Sequence, residues 1–292
     1  MSKLSAAVKG LINAPFARGG QMPAPARIRE VYERIANEAR EKQYGRRTWL
    51  TASAAATFTL NSPESLLVLH KVATTAAPSV AHTPLAAAEL IREVGLKCIS
   101  FNGIPRTINC LNAFRADTLD EPWAAQLETR SSRSVADEKT LAAVRKRGSA
   151  LWESVYTPLD EKLYEKLALA HPDLPVYILG SHYGPLLADP ERNADSKLAA
   201  TGRCLTSIIA ISCLRAQTGV GPQVLSHVYG LRKGISQGAH EQEAEASERD
   251  ALVRVSEDEG LLWLLKSVDT ISKAIGSNFV AHDGGPERLS KL

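Results

Sequence analysis

Apolar residues recur at spacings of three and four along most of this chain, and that periodicity limits the folds it can adopt. Residues 27–42 carry Ile28, Val31 and Ile35 on one face of a charged segment, as an amphipathic helix does. Residues 198–215 are apolar on nearly every side, as in a buried helix. Alternating strand patterns and hairpin turns are scarce. The sequence therefore predicts an all-α fold.

Proline and glycine residues indicate where further helices begin and end. Pro63 follows Ser62, and Pro84 and Pro222 also stand at the start of a periodic segment, where a helix tolerates proline. Gly103 interrupts the pattern between two helices. The remaining predicted helices cover 49–60, 62–70, 84–96, 107–114, 141–151, 159–170, 222–231 and 260–275.

An apolar helix, a short break and a second helix that carries a histidine occur twice. The first copy is 49–70 with His70, and the second is 198–227 with His227. This repetition predicts two related halves. The predicted organisation is a mobile basic arm over 1–26, a first helical half over 27–116, a connector with helices over 117–195, a second helical half with the candidate site over 196–281, and a tail over 282–292.

Composition excludes several classes of protein. Hydrophobic residues make up 44% of the chain and charged residues 23%, as in a soluble globular protein. The formal charge of +3 is too small to predict nucleic-acid binding. No apolar run reaches the roughly 18 residues of a membrane span. The four cysteines form no CxxC pair and the histidines form no HxxxH or HxH pattern, so no metal site is predicted.

The sequence ends in Ser290-Lys291-Leu292, which is the address that a peroxisomal import receptor reads. We therefore expect a peroxisomal matrix protein with that receptor as a partner. A mitochondrial transit segment is the alternative, because residues 1–29 contain no acid and five basic residues. Glycine and proline residues interrupt any long amphipathic helix there, which favours the C-terminal address.

One segment carries a family resemblance, namely Gly219-Val220-Gly221-Pro222-Gln223-Val224-Leu225-Ser226-His227. It resembles the active-site segment of the alkylhydroperoxidase D-like and carboxymuconolactone decarboxylase superfamily, in which a CxxCxxxH run opens a helix after a buried helix. A Gly-x-Pro element at Gly103-Ile104-Pro105 adds to the similarity, which covers 49–115 and 198–275. Fungal peroxisomal members are the nearest comparison. The resemblance implies a helical bundle of two related halves, a homo-oligomer, a small-molecule substrate and no organic cofactor.

The segment departs from the family pattern at the redox positions. Val220 and Gln223 stand where the family has its two cysteines, and Ile208 stands near its usual glutamate. The family's dithiol reaction therefore cannot run there in its usual form. His227 is kept, and it lies one turn beyond Gln223 on the same helix face.

His227 and Gln223 are the candidate catalytic residues. A neutral imidazole in an apolar pocket can act as a general base or acid. Gln223 lies in the first helical turn, where its amide can orient a carbonyl or carboxylate. The alternative is a core histidine with one backbone hydrogen bond.

Cys213 is the best redox candidate, because it lies about two turns before the loop that precedes His227. Cys204 lies nine residues earlier on the same helix and points to nearly the opposite side, so the two cannot form a disulfide. Cys98 and Cys110 flank the break at Gly103, and their separation cannot be predicted. Buried core thiols are the alternative interpretation for all four.

Three functions remain open. The resemblance implies an oxidoreductase in peroxide or lipid-related metabolism. A non-redox lyase or isomerase on an acyl or lactone substrate is the second, with His227 and Gln223. A non-catalytic binding or assembly protein is the third. Two other motifs, Arg106 after Pro105 and a predicted loop at His182-Tyr183-Gly184-Pro185, are interpreted as structural.

Overall fold

The computed structural model describes residues 4–14, 24–75, 83–127, 129, 133, 138–190, 200–243 and 246–276. Fourteen α-helices form within these ranges and no strand does, which confirms the prediction of an all-α fold. The helices are α1 (Ala6–Ile12), α2 (Ile28–Glu41), α3 (Arg46–Thr59), α4 (Pro63–Thr75), α5 (Pro84–Asn102), α6 (Ile104–Thr118), α7 (Glu138–Tyr156), α8 (Asp160–Ala170), α9 (Leu174–Tyr177), α10 (Gly202–Gln217), α11 (Gly221–Ser236), α12 (Ala239–Glu243), α13 (Ala246–Ser256) and α14 (Asp258–Ile275).

Two apolar helices, α3 and α10, pack side by side at the centre of the fold. Every residue of α3 from Thr48 to Thr59 is buried, and many of them are alanines, which let neighbouring helices approach closely. The buried hydroxyl of Thr57 donates to the Ser53 carbonyl 2.7 Å away, so this polar group is satisfied inside its own helix. Helices α5 and α14 pack on the same pair.

The helix boundaries follow the proline and glycine signals. The Thr83 hydroxyl accepts from the Ala86 N–H at 3.1 Å, and Pro84 is the first residue of α5, as predicted. Gly103 has a φ of 76°, which glycine adopts without strain, and it separates α5 from α6. Helix α11 begins at Gly221, one residue before the predicted start at Pro222.

The connector is helical and carries a π-helical segment over Ile178–Leu187, which continues directly from α9. The motif His182-Tyr183-Gly184-Pro185 lies inside this segment, so the prediction of a loop there was wrong. Pro185 has no N–H to donate to the preceding turn, and wider turns are a known response to such an interruption. The segment packs closely on α7.

One hydrophobic core joins the two predicted halves. Its buried residues come from α2 to α6 in the first half and from α10, α11, α13 and α14 in the second. A smaller cluster of Trp152, Tyr183 and Leu187 lies in the connector. The two halves as a duplication remain a prediction.

The two ends of the chain are described only in part. In the predicted arm, α1 has no buried residue. The targeting tripeptide Ser290-Lys291-Leu292 lies outside the described residues. The apolar face of α14 is buried inside the chain through Leu261, Leu264 and Val268. None of the described helices is long and apolar enough to cross a membrane.

Candidate functional site

His227 lies in the second turn of α11, and its side chain faces the interior. Thr218 and Gly219 have positive φ values of 63° and 71°, so the chain turns sharply between α10 and α11. This turn brings the start of α11 back along α10. The imidazole is 8% exposed, and the ring centres of Phe101 and Tyr156 lie 6.2 Å and 6.1 Å from it in edge-on arrangements.

A small, partly enclosed cavity lies beside His227. Its volume is about 10 Å³, which is roughly the room for one water molecule. Five segments supply its walls, namely α5, α7, the π-helical segment, α10 and α11. The lining residues are Phe101, Leu151, Val155, Tyr183, Leu187, Arg203, Thr206, Ser207, Ala210 and His227.

Arg203 brings a buried positive charge to this cavity. Its Nε donates to Ser154 Oγ at 2.8 Å, Nη2 donates to the Gly230 carbonyl at 2.6 Å, and Nη1 donates to Ser207 Oγ. The guanidinium thus joins α7, α10 and α11. Such a charge is stable in the interior because these oxygen acceptors surround it.

Burial lowers the pKa of His227 to about 4, and the positive charge of Arg203 lowers it in the same direction. The imidazole is therefore neutral at neutral pH. No described residue forms a hydrogen bond to its ring. A neutral imidazole of this kind can accept a proton from a bound molecule.

Tyr183 lines the cavity, and the Tyr156 ring lies next to both Tyr183 and His227. The Tyr183 hydroxyl donates to the Tyr156 hydroxyl at 3.1 Å. Burial raises the pKa of both phenols, and in Tyr183 the neighbouring Tyr156 raises it further. Both are neutral at physiological pH and serve as hydrogen-bonding groups beside His227.

Of the three predicted catalytic residues, only His227 lines the cavity. Gln223 is exposed and lies four residues earlier, about 6 Å along the helix axis. Cys213 faces another part of the core, where its Sγ lies 3.5 Å from Cys98 Sγ. The residues thus lie on neighbouring elements without forming one cluster.

His70, the counterpart of His227 in the predicted repeat, is a core histidine. Its Nε2 lies 3.1 Å from the Pro84 carbonyl, and its ring packs edge-on against Phe114. Burial lowers its pKa, while the Pro84 hydrogen bond raises it in part. His70 thus differs from His227 in having a backbone carbonyl within hydrogen-bonding distance of its ring.

Sequence reasoning missed Arg203, Lys97 and Asp189. Lys97 is fully buried, and its Nζ donates to Asp189 Oδ1 at 2.7 Å and to Thr206 Oγ1, a cavity residue, at 3.1 Å. For Arg203 the available signal was a charge at the start of an apolar helix, because such residues are rarely buried without a partner. Lys97 gave no such signal, because α5 also carries Glu89, Arg92 and Glu93.

Arg106 has a structural role, and the groove between α7 and α8 is an open surface feature. Arg106 donates to the Thr59 carbonyl and so joins α6 to α3, which agrees with its structural interpretation. An open groove of about 330 Å³ between α7 and α8 is larger than the His227 cavity, but its polar groups are mainly solvated carboxylates such as Glu161 and Glu165. Within the described residues, no group of three or more His, Cys, Asp or Glu side chains could hold a metal ion.

Comparison with known proteins finds a yeast relative. Peroxisomal protein 2 of Saccharomyces cerevisiae is 29% identical over an alignment of 189 residues that covers 59% of this chain and 62% of that protein. The match therefore spans less than two thirds of the yeast protein. No protein-family model matches the chain, and no solved structure matches it. Membership of the alkylhydroperoxidase D-like superfamily thus remains a prediction.

Proposed function

We propose that this protein is a peroxisomal enzyme that carries out non-redox acid–base chemistry on an acyl or lactone substrate, as a lyase or isomerase. The observation that carries the proposal is the surroundings of His227. Its neutral imidazole lines a small, partly enclosed cavity with Arg203 and Tyr183. No cysteine of the described residues lines that cavity, so a dithiol reaction lacks its sulfur groups there.

In the proposed reaction, His227 takes a proton from the carbon beside the substrate carbonyl. The enolate that forms carries negative charge, which the nearby charge of Arg203 stabilises in this dry environment. That negative charge also raises the pKa of His227 while the intermediate exists, because it favours the imidazolium. His227 then returns the proton to another carbon, or the intermediate expels a leaving group.

A substrate must displace part of the cavity wall, because a volume of about 10 Å³ has room for about one water. The π-helical segment is the proposed moving wall, since it supplies Tyr183 and Leu187. Segments of this kind are frequent at functional sites. Gln223 would meet the part of the substrate that extends toward the start of α11, and its amide would orient a carbonyl there.

The test compares two buried histidines in the full chain. Purified protein is assayed by absorbance with a panel of unsaturated acyl-coenzyme A thioesters and lactones. We expect His227→Gln to lower kcat/KM by about 100-fold or more, the usual contribution of a general base. His70→Gln is the matched control, and it should keep turnover within a few-fold of the wild type.

Two results would contradict the proposal. Equal turnover in the wild type and His227→Gln would remove His227 from the chemistry. A wild type that binds members of the panel but converts none of them would favour the non-catalytic binding protein.

In Gln223→Ala we expect a higher KM with a nearly unchanged kcat, since its proposed role is orientation.

An oxidoreductase acting on peroxides is the second candidate, and one contact favours it. Cys213 has a thiol neighbour in Cys98, although the family's cysteine positions hold Val220 and Gln223. Turnover of an organic hydroperoxide with a thioredoxin-type reductant would support this candidate. Absence of turnover in a fully reduced, folded sample would exclude it.

The peroxisomal location has two sources of support. The yeast relative is named a peroxisomal protein. The tripeptide Ser290-Lys291-Leu292 has the sequence of the peroxisomal address, which an import receptor binds. The matrix is the compartment to which this address delivers.

A further inference from the structure

Two cysteines from distant parts of the chain touch at the centre of the fold. Cys98 lies on α5 and Cys213 on α10, and their sulfur atoms are 3.5 Å apart. Both side chains are fully buried. This distance is van der Waals contact between two thiols, whereas a disulfide requires about 2.05 Å. Small side-chain rotations and helix shifts would close the difference.

The side chain of Asn102 makes the two sulfurs unequal. Its Nδ2 lies 3.8 Å from Cys213 Sγ, and the same nitrogen donates to Thr59 Oγ1 at 3.0 Å. Gln217 holds the other end of the amide by donating to Asn102 Oδ1 at 2.9 Å. The amide therefore has a fixed orientation, and its N–H group faces Cys213.

We propose that Cys98 and Cys213 form a peroxide-oxidisable pair that closes into a disulfide between α5 and α10. The Cys213 sulfur attacks one oxygen of hydrogen peroxide, the O–O bond breaks, and the thiol proton leaves with the other oxygen as water, so that Cys213 becomes a sulfenic acid. The Cys98 thiol then attacks that sulfur, the S–S bond forms and a second water leaves with the Cys98 proton. In sum, two thiols and one peroxide give one disulfide and two waters.

The surroundings of the pair determine which reagents can react. Burial raises the pKa of the Cys98 thiol well above its usual value, and the neighbouring Cys213 raises it further. A thiol that keeps its proton is a poor nucleophile, so Cys98 is the weaker first attacker, and in the second step it gives up its proton as the sulfenic oxygen leaves. Because the pair is enclosed, hydrogen peroxide can reach it through small fluctuations, while bulky alkylating reagents are excluded until the chain unfolds.

The pair is separate from the His227 cavity, since neither cysteine lines it. The inference concerns one oxidation event and requires neither turnover of peroxide nor the acid–base activity proposed above. Failure of either activity would leave it standing, and its own failure would leave His227 unaffected.

The experiment counts free thiols after oxidation of the folded full-length protein. Hydrogen peroxide is added, excess is removed with catalase, and the chain is then unfolded in N-ethylmaleimide. Untreated protein should carry four adducts, one on each cysteine. Treated protein should carry two, and dithiothreitol before labelling should restore four.

Peptide mapping identifies the bond. Trypsin should release residues 98–106 linked to residues 204–215, because cleavage follows Lys97, Arg106, Arg203 and Arg215. The second peptide contains both Cys204 and Cys213, so fragmentation of the linked pair must assign the sulfur. Cys204→Ala should keep the link, and Cys213→Ala should lose it.

Three outcomes would overturn the proposal. Four adducts could remain at a peroxide dose that oxidises the same chain after unfolding. The link could use Cys110 or Cys204 instead of Cys213. Cys213 could reach sulfinic acid without any linked peptide. The wild-type map decides among these outcomes even if the variants do not fold.

Discussion

The His227 side chain couples folding to pH. Its pKa is about 4 in the folded chain and close to the ordinary 6.5 when unfolded. Between about pH 6.5 and 4 the His227 imidazole is protonated in the unfolded state and neutral in the folded state. The free energy of unfolding should therefore fall as the pH drops from about 6.5 to 4, by about 2 kcal/mol at pH 5 from this residue.

Urea denaturation at pH 7.5 and pH 5 measures this effect. The loss between the two pH values should be about 2 kcal/mol smaller in His227→Gln than in the wild type. His70 also has a lowered pKa from burial, so His70→Gln should reduce the loss too, and the double variant should show the smallest pH dependence. An unchanged loss in His227→Gln would mean that the imidazole is solvated.

Lys97 is the second residue whose substitution we expect to change the free energy of unfolding strongly. Its Nζ joins the Leu187 carbonyl, the Asp189 carboxylate and the Thr206 hydroxyl, which ties the π-helical segment to α10. Burial alone would raise the pKa of Asp189, but the charge and hydrogen bond of Lys97 hold it below its usual value. The pair therefore stabilises the fold above about pH 4 and less so below it.

Removing the lysine should leave the Asp189 carboxylate partly buried without its cation. We expect Lys97→Met to lower the free energy of unfolding by about 3 kcal/mol. Adding Asp189→Asn should recover part of that loss, because the uncompensated charge is gone. Denaturation midpoints at pH 7.5 measure both, and a loss under about 1 kcal/mol in Lys97→Met would contradict the expectation.

At the scale of elements, the contact between α7 and the π-helical segment depends on two glycines. A Cβ atom on Gly148 would lie 2.7 Å from the Gly184 backbone nitrogen, closer than real contacts allow. Gly148→Ala must therefore push the two elements apart, at a cost of about 2 kcal/mol. The change also moves Tyr183, so the proposed activity should fall.

Gly180 supplies the control, because it lies in the same segment and a Cβ atom added there would have no neighbour within 4 Å. Gly180→Ala should change stability by less than about 1 kcal/mol and leave activity intact. Thermal unfolding of the two variants measures the difference. Equal losses of stability in the two variants would contradict the prediction. The close contact at Gly148 would then not determine the cost of the added methyl group.

The helices were predictable because their signals are local. Pro84 and Gly103 act on the backbone of their own turn, and the burial of α2 follows from its periodicity. The π-helical segment was not predictable from the sequence. Its ten residues are too few to distinguish the spacing of apolar residues in a π-helix from that in an α-helix. The position of His227 on α11 was predictable, but its neighbours Phe101 and Tyr183 come from segments that only tertiary packing brings together.

At the scale of the whole molecule, the targeting prediction is independent of the fold. A fusion with a fluorescent protein placed before residue 1 should be imported into peroxisomes. The same fusion without residues 290–292 should stay in the cytosol. Co-localisation with a peroxisomal marker measures both. A truncated fusion that stays in peroxisomes would contradict the prediction, and residues 1–29 alone directing a reporter to mitochondria would favour the alternative.

The central packing of α3 against α10 has a consequence for synthesis on the ribosome. The two helices are separated by more than 140 residues, so the side of α3 that packs on α10 has no partner until most of the chain has emerged, even after α5 has covered another side. A nascent chain that stalls before residue 202 would present this surface to the solvent, where chaperones recognise unburied apolar groups. Separate expression of 27–116 should therefore yield an aggregation-prone fragment, and co-expression with the remainder should rescue its solubility.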